Sequence, residues 1–217
     1  MTAIILGATG ATGKDLLQLL LHDEDVKQIT IFVRSKVDMI HSKLQVHMID
    51  FDEPDQWRHL VTGDVLFSCL GTTLKAAGSK AAQWKIDHDY QFQFAEAAKK
   101  NNVPGYLLVS SSNASADSFV FYSKLKGQLE EAVKALCFSR LAIFNPPVLV
   151  RKNSDRTGEV VVIKVLRFFN KFGMLKSQAP LSTSVLASAM HQLAKKQLPG
   201  TTIVDSEKIT VLATVKN

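Results

Sequence analysis

The residues best suited to proton transfer in this 217-residue chain are a tyrosine and a lysine four positions apart, Tyr122 and Lys126. On a helix, that spacing puts both side chains on one face. We predict that the lysine ammonium lowers the pKa of the phenol, ordinarily about 10. The phenol then donates or accepts a proton near neutral pH. Packing of Tyr122 as a core aromatic is the alternative interpretation.

Three serines, Ser110 to Ser112, end the predicted strand that precedes this pair. A strand-end hydroxyl facing the tyrosine and the lysine would hold a substrate carbonyl and stabilise negative charge on its oxygen. The sequence contains no G-x-S-x-G stretch, so the serines do not favour a hydrolase. The pattern predicts a proton-transfer site for a small carbonyl or alcohol.

A glycine-rich stretch with G-x-x-G-x-x-G spacing lies between an apolar run at Ala3–Leu6 and a leucine-rich run at Leu16–Leu21. The first glycine allows a tight turn, the second lets a pyrophosphate approach the backbone, and the third lets the helix pack closely. Free N–H groups and the positive helix end favour an anion there. The predicted cofactor-binding residues of this loop are Gly7, Thr9, Gly10, Ala11, Thr12 and Gly13. A glycine-rich turn without a ligand is the alternative.

The second predicted strand ends in Arg34 and Ser35, where NAD-binding proteins usually place an acidic residue for the ribose hydroxyls. A guanidinium suits a 2′-phosphate in charge and geometry. The sequence therefore favours NADP(H) over NAD(H) as cofactor. The alternative is an arginine that simply points into water.

Other strand ends are expected at the same cleft, because ligands of open α/β sheets bind at the carboxyl ends of the strands. Asp50 and Phe51 follow the third predicted strand, where they would bond and flank an adenine. Leu70, Gly71 and Thr72 follow the fourth, where a second close approach to the backbone is expected. These residues are predicted to bind the cofactor too.

Short apolar runs alternate with helical runs along the chain, which predicts βαβ units. The predicted strands are Ala3–Leu6, Ile29–Val33, Leu44–Ile49, Val65–Cys69, Tyr106–Val109, Leu141–Phe144 and Thr202–Val204. The predicted helices are Lys14–His22, Trp84–Lys100, Tyr122–Leu136 and Val185–Lys196. We predict a doubly wound, mostly parallel Rossmann-type α/β sheet with helices on both faces. Residues 1–217 form one domain, with a nucleotide-binding core at 1–150 and a substrate-side elaboration at 151–217.

Composition excludes several classes of protein. The hydrophobic fraction of 46% is enough for a sizeable core and argues against disorder. The two cysteines and six histidines show no metal-ligand spacing, so no metal site is predicted. No signal peptide or run of about 20 apolar residues is present, which predicts a cytoplasmic protein without a transmembrane segment.

The segment Arg151–Lys176 carries seven basic and two acidic residues and holds most of the chain's net charge of +6. Within it, residues 160–175 place basic side chains amid aromatic and aliphatic ones, which suits either a lid over the substrate or a peripheral membrane contact. We favour the lid. Charge alone supports nucleic-acid binding, and no recognition motif accompanies it, so no nucleic acid is expected.

The chain resembles the short-chain dehydrogenase/reductase superfamily in its atypical or extended branch, and within it the Tat-interacting-protein oxidoreductase group. The resemblance rests on ILGATGATG, the pair Ser110–Ser111, and Tyr122-x-x-x-Lys126 followed by GQLEEAV. It implies hydride transfer to a carbonyl carbon while Tyr122 protonates the oxygen, with Lys126 also binding the nicotinamide ribose. It also implies Ser111 as the catalytic serine, with Ser112 as the alternative, and a monomer or small homo-oligomer.

Two positions depart from the superfamily pattern. Asp87 stands where many relatives carry an asparagine that supports a proton relay, and this puts the relay in question. Asn145-Pro146-Pro147 replaces the Arg-Pro-Gly of extended members, so that Pro146 is predicted to line the nicotinamide without the arginine. An NADPH-binding regulatory or scaffold protein with little catalysis is therefore the alternative function.

Overall fold

The computed structural model describes residues 1–150 and 180–214. Its strands are β1 (Thr2–Leu6), β2 (Gln28–Val33), β3 (Leu44–Met48), β4 (Val65–Ser68), β5 (Gly105–Val109), β6 (Arg140–Phe144), β7 (Leu149–Val150), β8 (Leu181–Ser182) and β9 (Gly200–Val204). Seven of them form a parallel sheet in the order β3-β2-β1-β4-β5-β6-β9. The short strands β7 and β8 pair separately. This arrangement confirms the predicted doubly wound Rossmann-type sheet.

Helices cover both faces of the sheet. Their bounds are α1 (Ala11–His22), α2 (Pro54–Trp57), α3 (Leu74–Ala77), α4 (Lys80–Trp84), α5 (Tyr90–Lys100), α6 (Phe121–Ala135), α7 (Thr183–Lys196) and α8 (Ser206–Thr214). A 3₁₀ turn at Arg58–Leu60 follows α2, and a π-helical turn at Lys85–Asp89 joins α4 to α5. None of the described helices is long and apolar enough to cross a membrane.

The sheet is buried on both sides because its strands are apolar at successive positions. In β1, Ala3 and Ile5 face a core that includes α1, α7 and α8, whereas Ile4 and Leu6 face one that includes α5 and α6. Side chains of a strand alternate between faces, so a continuous apolar run fits a strand covered on both. The carboxyl ends of the strands therefore meet at one edge, between two layers of helices.

The predicted helix Trp84–Lys100 is helical throughout, but it is not a regular α-helix. The structure ends α4 at Trp84, inserts the π turn, and begins α5 at Tyr90. A one-residue insertion leaves the hydrophobic pattern on either side intact, so helical periodicity does not reveal it. The turn directs Asp87 inward, where the side chain is 1% exposed.

His191 takes part in a polar contact between α7 and the end of α1. It is buried on α7, and its Nε2 lies 2.6 Å from Oδ2 of Asp23, just after α1. Lys195 approaches the same carboxylate at 3.1 Å. The group links the two helices away from the carboxyl edge of the sheet.

Several predictions concern residues that the structure does not describe. The basic segment Arg151–Lys176 and the lid or membrane contact at 160–175 lie outside the described residues. The division of the chain at residue 150 stays a prediction. Residues 180–214 supply β9, which pairs with β6 at one edge of the sheet, and α7, which packs in the core shared with α1.

Candidate active site

The glycine loop lies where β1 meets α1, against the end of β4. Gly7 has a positive φ of 85°, and a Cβ there would lie 2.6 Å from the backbone nitrogen of Leu70. A Cβ on Gly13 would overlap the carbonyl oxygen of Gly7. Side chains at either position would force the loop away from β4 and α1. Gly10, which caps α1 without a side-chain hydrogen bond, leaves the first N–H groups of the helix facing the edge of the sheet. The residues therefore fit a dinucleotide phosphate.

The ends of β2 and β3 lie beside this loop, since both strands follow β1 in the sheet. Arg34 and Ser35 are exposed at the end of β2. Asp50 is exposed after β3, and its carbonyl accepts a hydrogen bond from the indole of Trp57 at 2.9 Å. Phe51 was expected to flank an adenine, but its ring is only 5% exposed and packs in the aromatic core. We therefore assign Phe51 a role in holding Asp50 in place.

Asp87 fixes the loop that follows β4. Its Oδ1 accepts the backbone N–H of Thr72 at 2.7 Å, and its Oδ2 accepts the Gln83 amide at 3.3 Å. The same amide reaches the carbonyl of Thr72. Burial raises the pKa of Asp87, and the nearby Lys126 charge opposes that rise. Sequence reasoning marked Asp87 only as a departure, and it missed this bond to the loop.

Lys126 is buried on α6, and its Nζ donates to the carbonyl of Val109 at 3.1 Å. Burial lowers its pKa, while the charges of Asp87, Glu130 and Cys69 raise it. Glu130 lies one turn after Lys126 on the same helix face, as the spacing of four residues between them indicates. The ammonium is thus held at the end of β5 by the Val109 carbonyl, with two carboxylates near enough to raise its pKa.

The expected lowering of the Tyr122 pKa is wrong. Burial raises the pKa of the phenol to about 12, and the charge of Asp87 raises it further, although 40% of the residue remains exposed. Burial is the larger cause and the charge of Asp87 the smaller one. The phenol therefore holds its proton at neutral pH.

The three serines have different environments. The hydroxyl of Ser110 is buried and donates to Glu130, whereas Ser112 is exposed. The Ser111 carbonyl accepts from the side-chain amide of Asn145 at 3.1 Å, and its hydroxyl finds no partner within the described ranges. The Ser110 hydroxyl is therefore occupied, whereas the hydroxyls of Ser111 and Ser112 are open among the described residues, and Ser111 is the more buried of those two.

Asn145 occupies the position where the arginine of extended members was expected. Its amide nitrogen donates to Ser111 and to Oε1 of Glu130, at 3.1 and 3.0 Å. Its Oδ1 is buried and lacks a hydrogen-bond partner among the residues described. Pro146, which follows, is buried, and its carbonyl accepts the N–H of Ser112 at 3.0 Å. These bonds join the ends of β5 and β6.

Gly127 is a positioning residue that sequence reasoning missed. A Cβ there would overlap the backbone of Ser115 and Ala116, in the loop that leads from the serines to α6. Ser115 also donates its N–H to the carbonyl of Ser123 at 3.0 Å. The loop thus packs directly on α6 and positions Tyr122 in the first turn of that helix. A glycine inside a predicted helix was the available signal.

Cys69 is half-buried beside Lys126 at the end of β4. Burial raises the pKa of its thiol to about 12, and the charge of Lys126 opposes that rise. Little thiolate is therefore present at neutral pH. Within residues 1–150 and 180–214, no group of three His, Cys, Asp or Glu side chains could hold a metal ion.

A family model described as NAD(P)H-binding matches residues 7–138, which include the glycine loop, Tyr122 and Lys126. Protein FMP52, mitochondrial, of Saccharomyces cerevisiae is 35% identical over 73% of this chain and 71% of its own length. Protein HTATIP2 of Rattus norvegicus is 34% identical over 73% and 67%. Protein fmp52, mitochondrial, of Aspergillus clavatus is 31% identical over 96% and 93%.

Two solved structures share the fold. The oxidoreductase ylbE of Lactococcus lactis has a TM-score of 0.69 at 17% identity, covering 98% of this chain and 96% of its own. UDP-glucose 4-epimerase of Thermotoga maritima, solved with UDP-glucose, has a TM-score of 0.71 at 12% identity, covering 94% and 76%. The sheet order, the glycine loop and these matches all indicate a dinucleotide-binding fold. The chain belongs to the NAD(P)H-binding family, within the short-chain dehydrogenase/reductase superfamily that its motifs resemble.

Proposed function

We propose that the protein is an NADP(H)-dependent reductase that transfers hydride between the nicotinamide and a small carbonyl or alcohol substrate. The observation that carries the proposal is the shared placement of Tyr122 and Lys126 beside Asp87, at the end of β5. This place is next to the end of β4, which the glycine loop contacts through Gly7 and Leu70. The proton donor and the cofactor loop therefore meet at one edge.

The bound cofactor supplies the hydride that adds to the carbonyl carbon. Tyr122, which is protonated at neutral pH, donates its proton to the carbonyl oxygen, which takes up the electron pair of the C=O bond. The hydroxyl of Ser111 donates a hydrogen bond to that oxygen and stabilises its developing charge. The Lys126 ammonium stabilises the phenolate left behind, and solvent returns a proton to it.

The rest of the cofactor is assigned to the loops. The glycine loop and the N–H groups of α1 hold the pyrophosphate, and the backbone of Leu70, Gly71 and Thr72 lies alongside. Arg34 and Ser35 hold the 2′-phosphate, which selects NADP(H). Pro146 lines the nicotinamide end, and Lys126 also holds the nicotinamide ribose.

Replacing Tyr122 with phenylalanine tests the mechanism. Loss of the hydroxyl should reduce turnover with a panel of carbonyl compounds by at least about 100-fold, the lower range for general acid catalysis. The dissociation constant for NADPH, measured by fluorescence, should stay within about threefold of wild type. Unchanged turnover in this variant would refute the assignment of Tyr122.

A second candidate function is an NADPH-binding regulatory or scaffold protein. The observation that favours it is Asp87, whose charge raises the pKa of the phenol and whose position replaces the relay asparagine. A wild-type protein that binds NADPH but oxidises none with any carbonyl in the panel would favour this candidate. Steady turnover with any of them would exclude it.

The proposed setting is a cytoplasmic monomer or small homo-oligomer. The FMP52 relatives carry the word mitochondrial in their names, which points to another location for those proteins. Fractionation of cells that make the tagged protein would decide between the two. Light scattering of the purified protein would give its mass.

A further inference from the structure

We propose that the site accepts carbonyl substrates with an apolar tail, an alkyl or aryl group, that lies against exposed apolar side chains next to Tyr122. The inference rests on the proposed reductase function and names the substrate class for it. The residues that support it surround the phenol of Tyr122 and are not those of the glycine loop. Clustered exposed apolar groups on a protein surface commonly mark a binding site.

The first wall is the segment that enters α6. Phe119 is fully exposed and Val120 is 63% exposed, immediately before Phe121 and Tyr122. The backbone here is held in place, since the Val120 N–H bonds to Ser118 and its carbonyl accepts from Lys124. Two apolar side chains that are exposed to water on an ordered backbone favour the binding of an apolar group.

The second wall is α4 and the π turn. Trp84 packs 6.2 Å from the ring of Phe121 and stacks on His88 at 4.9 Å. Asp87, three residues after Trp84, is the carboxylate whose charge acts on Tyr122. The aromatic pair therefore borders Phe121, the residue before Tyr122. An aryl or alkyl group bound at the phenol would reach it.

Two further apolar residues follow the neighbouring strands. Leu74, 45% exposed, comes two residues after Thr72 at the end of β4, and Val148, 40% exposed, comes just after Pro146 and Pro147 at the end of β6. The serines end β5, which lies between those two strands. Apolar side chains thus flank the serines on both sides. They offer no hydrogen-bond partners for a polyhydroxylated substrate.

A homologous series of n-alkanals from propanal to decanal, with NADPH, measures the effect of the tail. We expect kcat/KM to rise about two- to fourfold for each added methylene group, as burial of that group predicts. Glyceraldehyde should be reduced no faster than propanal. The variants Phe119→Ser and Val120→Ser should flatten the rise while propanal reduction stays within about twofold. The control Val211→Ser, a similarly exposed valine on α8 at 60%, should keep the wild-type slope.

The possible outcomes test the apolar-tail proposal separately from the reductase proposal. Turnover of alkanals without any dependence on length, or equal slopes in wild type and Phe119→Ser, would overturn the apolar tail and leave the reductase intact. Preference for glyceraldehyde would overturn it as well. Tight NADPH binding with no turnover of any aldehyde would overturn the reductase itself, and with it the substrate class.

Discussion

The hydroxyl of Ser110 donates a hydrogen bond to Oε1 of Glu130, with 2.5 Å between the two oxygens. Both residues are buried, and Asn145 donates to the same carboxylate oxygen. Because Glu130 lies on α6, the bond ties the end of β5 to the helix that carries Tyr122. The Ser110 hydroxyl is therefore occupied by a structural hydrogen bond, whereas the Ser111 hydroxyl remains available to a substrate.

Replacing Ser110 with alanine should destabilise the fold. The change removes one of the two hydrogen bonds to a buried carboxylate, and we expect the free energy of unfolding to fall by about 1–3 kcal/mol. Urea unfolding followed by circular dichroism measures this. The exposed neighbour provides the control: Ser112→Ala should change the value by less than about 0.5 kcal/mol. Equal effects of the two changes would contradict the assigned role of Ser110.

A methyl group on Gly127 should be costly although alanine is the better helix former. Helix propensity alone would stabilise the variant by about 1 kcal/mol. Overlap with the backbone of Ser115 and Ala116 should outweigh this and give a net loss of about 1–3 kcal/mol. Thermal unfolding measures the difference, with Lys124→Ala on the exposed face of α6 as control. A Gly127→Ala protein as stable as wild type would mean that the loop lies elsewhere.

Removing the Arg34 guanidinium should weaken NADPH binding selectively. A hydrogen bond to a charged group contributes about 1.5–3 kcal/mol, so the dissociation constant for NADPH should rise by about 10- to 100-fold in Arg34→Ala. NADH, which lacks the 2′-phosphate, should bind as before. Isothermal titration with both cofactors tests this, and Lys36→Ala controls for loss of surface charge. If the wild type bound NADH more tightly than NADPH, the assignment of Arg34 to the 2′-phosphate would be refuted.

Stability should fall in acid as Asp23 takes up a proton. Burial opposes ionisation, yet the N–H of Asp25, His191 and Lys195 together lower the pKa of Asp23 to about 2. The folded carboxylate thus holds its proton more weakly than the unfolded one. Its contribution, about 2 kcal/mol, is present above pH 4 and is lost between about pH 4 and pH 2.

Urea unfolding between pH 2 and pH 6 tests this contribution. Asp23→Asn should lower stability at pH 6 and reduce its decline in acid. Glu24→Gln, an exposed neighbour, should keep the wild-type profile. If Asp23→Asn declined as steeply as wild type, acid sensitivity would arise elsewhere in the chain.

The sheet was predictable because its signal is local. Runs such as Ala3–Leu6 are apolar at every position, which only a strand covered on both faces accommodates in so few residues. Short helices were not predictable: α3 has four residues, and α8 is rich in threonine, valine and isoleucine that equally suit a strand. The first is held by a local cap, the Thr73 hydroxyl that accepts the N–H of Ala76, whereas α8 is set by burial of Ile209 in the core.

Within the candidate site, spacing predicted which residues share a helix face but not their electrostatics. The interval from Tyr122 to Lys126 suggested a phenol with a lowered pKa. The opposite shift arises mainly from burial of the phenol, and Asp87, which is distant along the chain and turned inward by a π turn, adds to it. Likewise, nothing in the serine run itself shows that Ser110 faces Glu130. Charges brought together by tertiary folding decide these properties.

The π turn at Lys85–Asp89 also determines where the chain tolerates a change in length. One residue accounts for about 100° of helix rotation, so deleting a residue in this turn would restore a regular helix and rotate everything after it relative to α4. Phe94, fully buried against Trp57, would leave the aromatic core, and Asp87 would no longer reach Thr72. This stretch should therefore accept substitutions far more readily than deletions, in contrast to the surface loops around it.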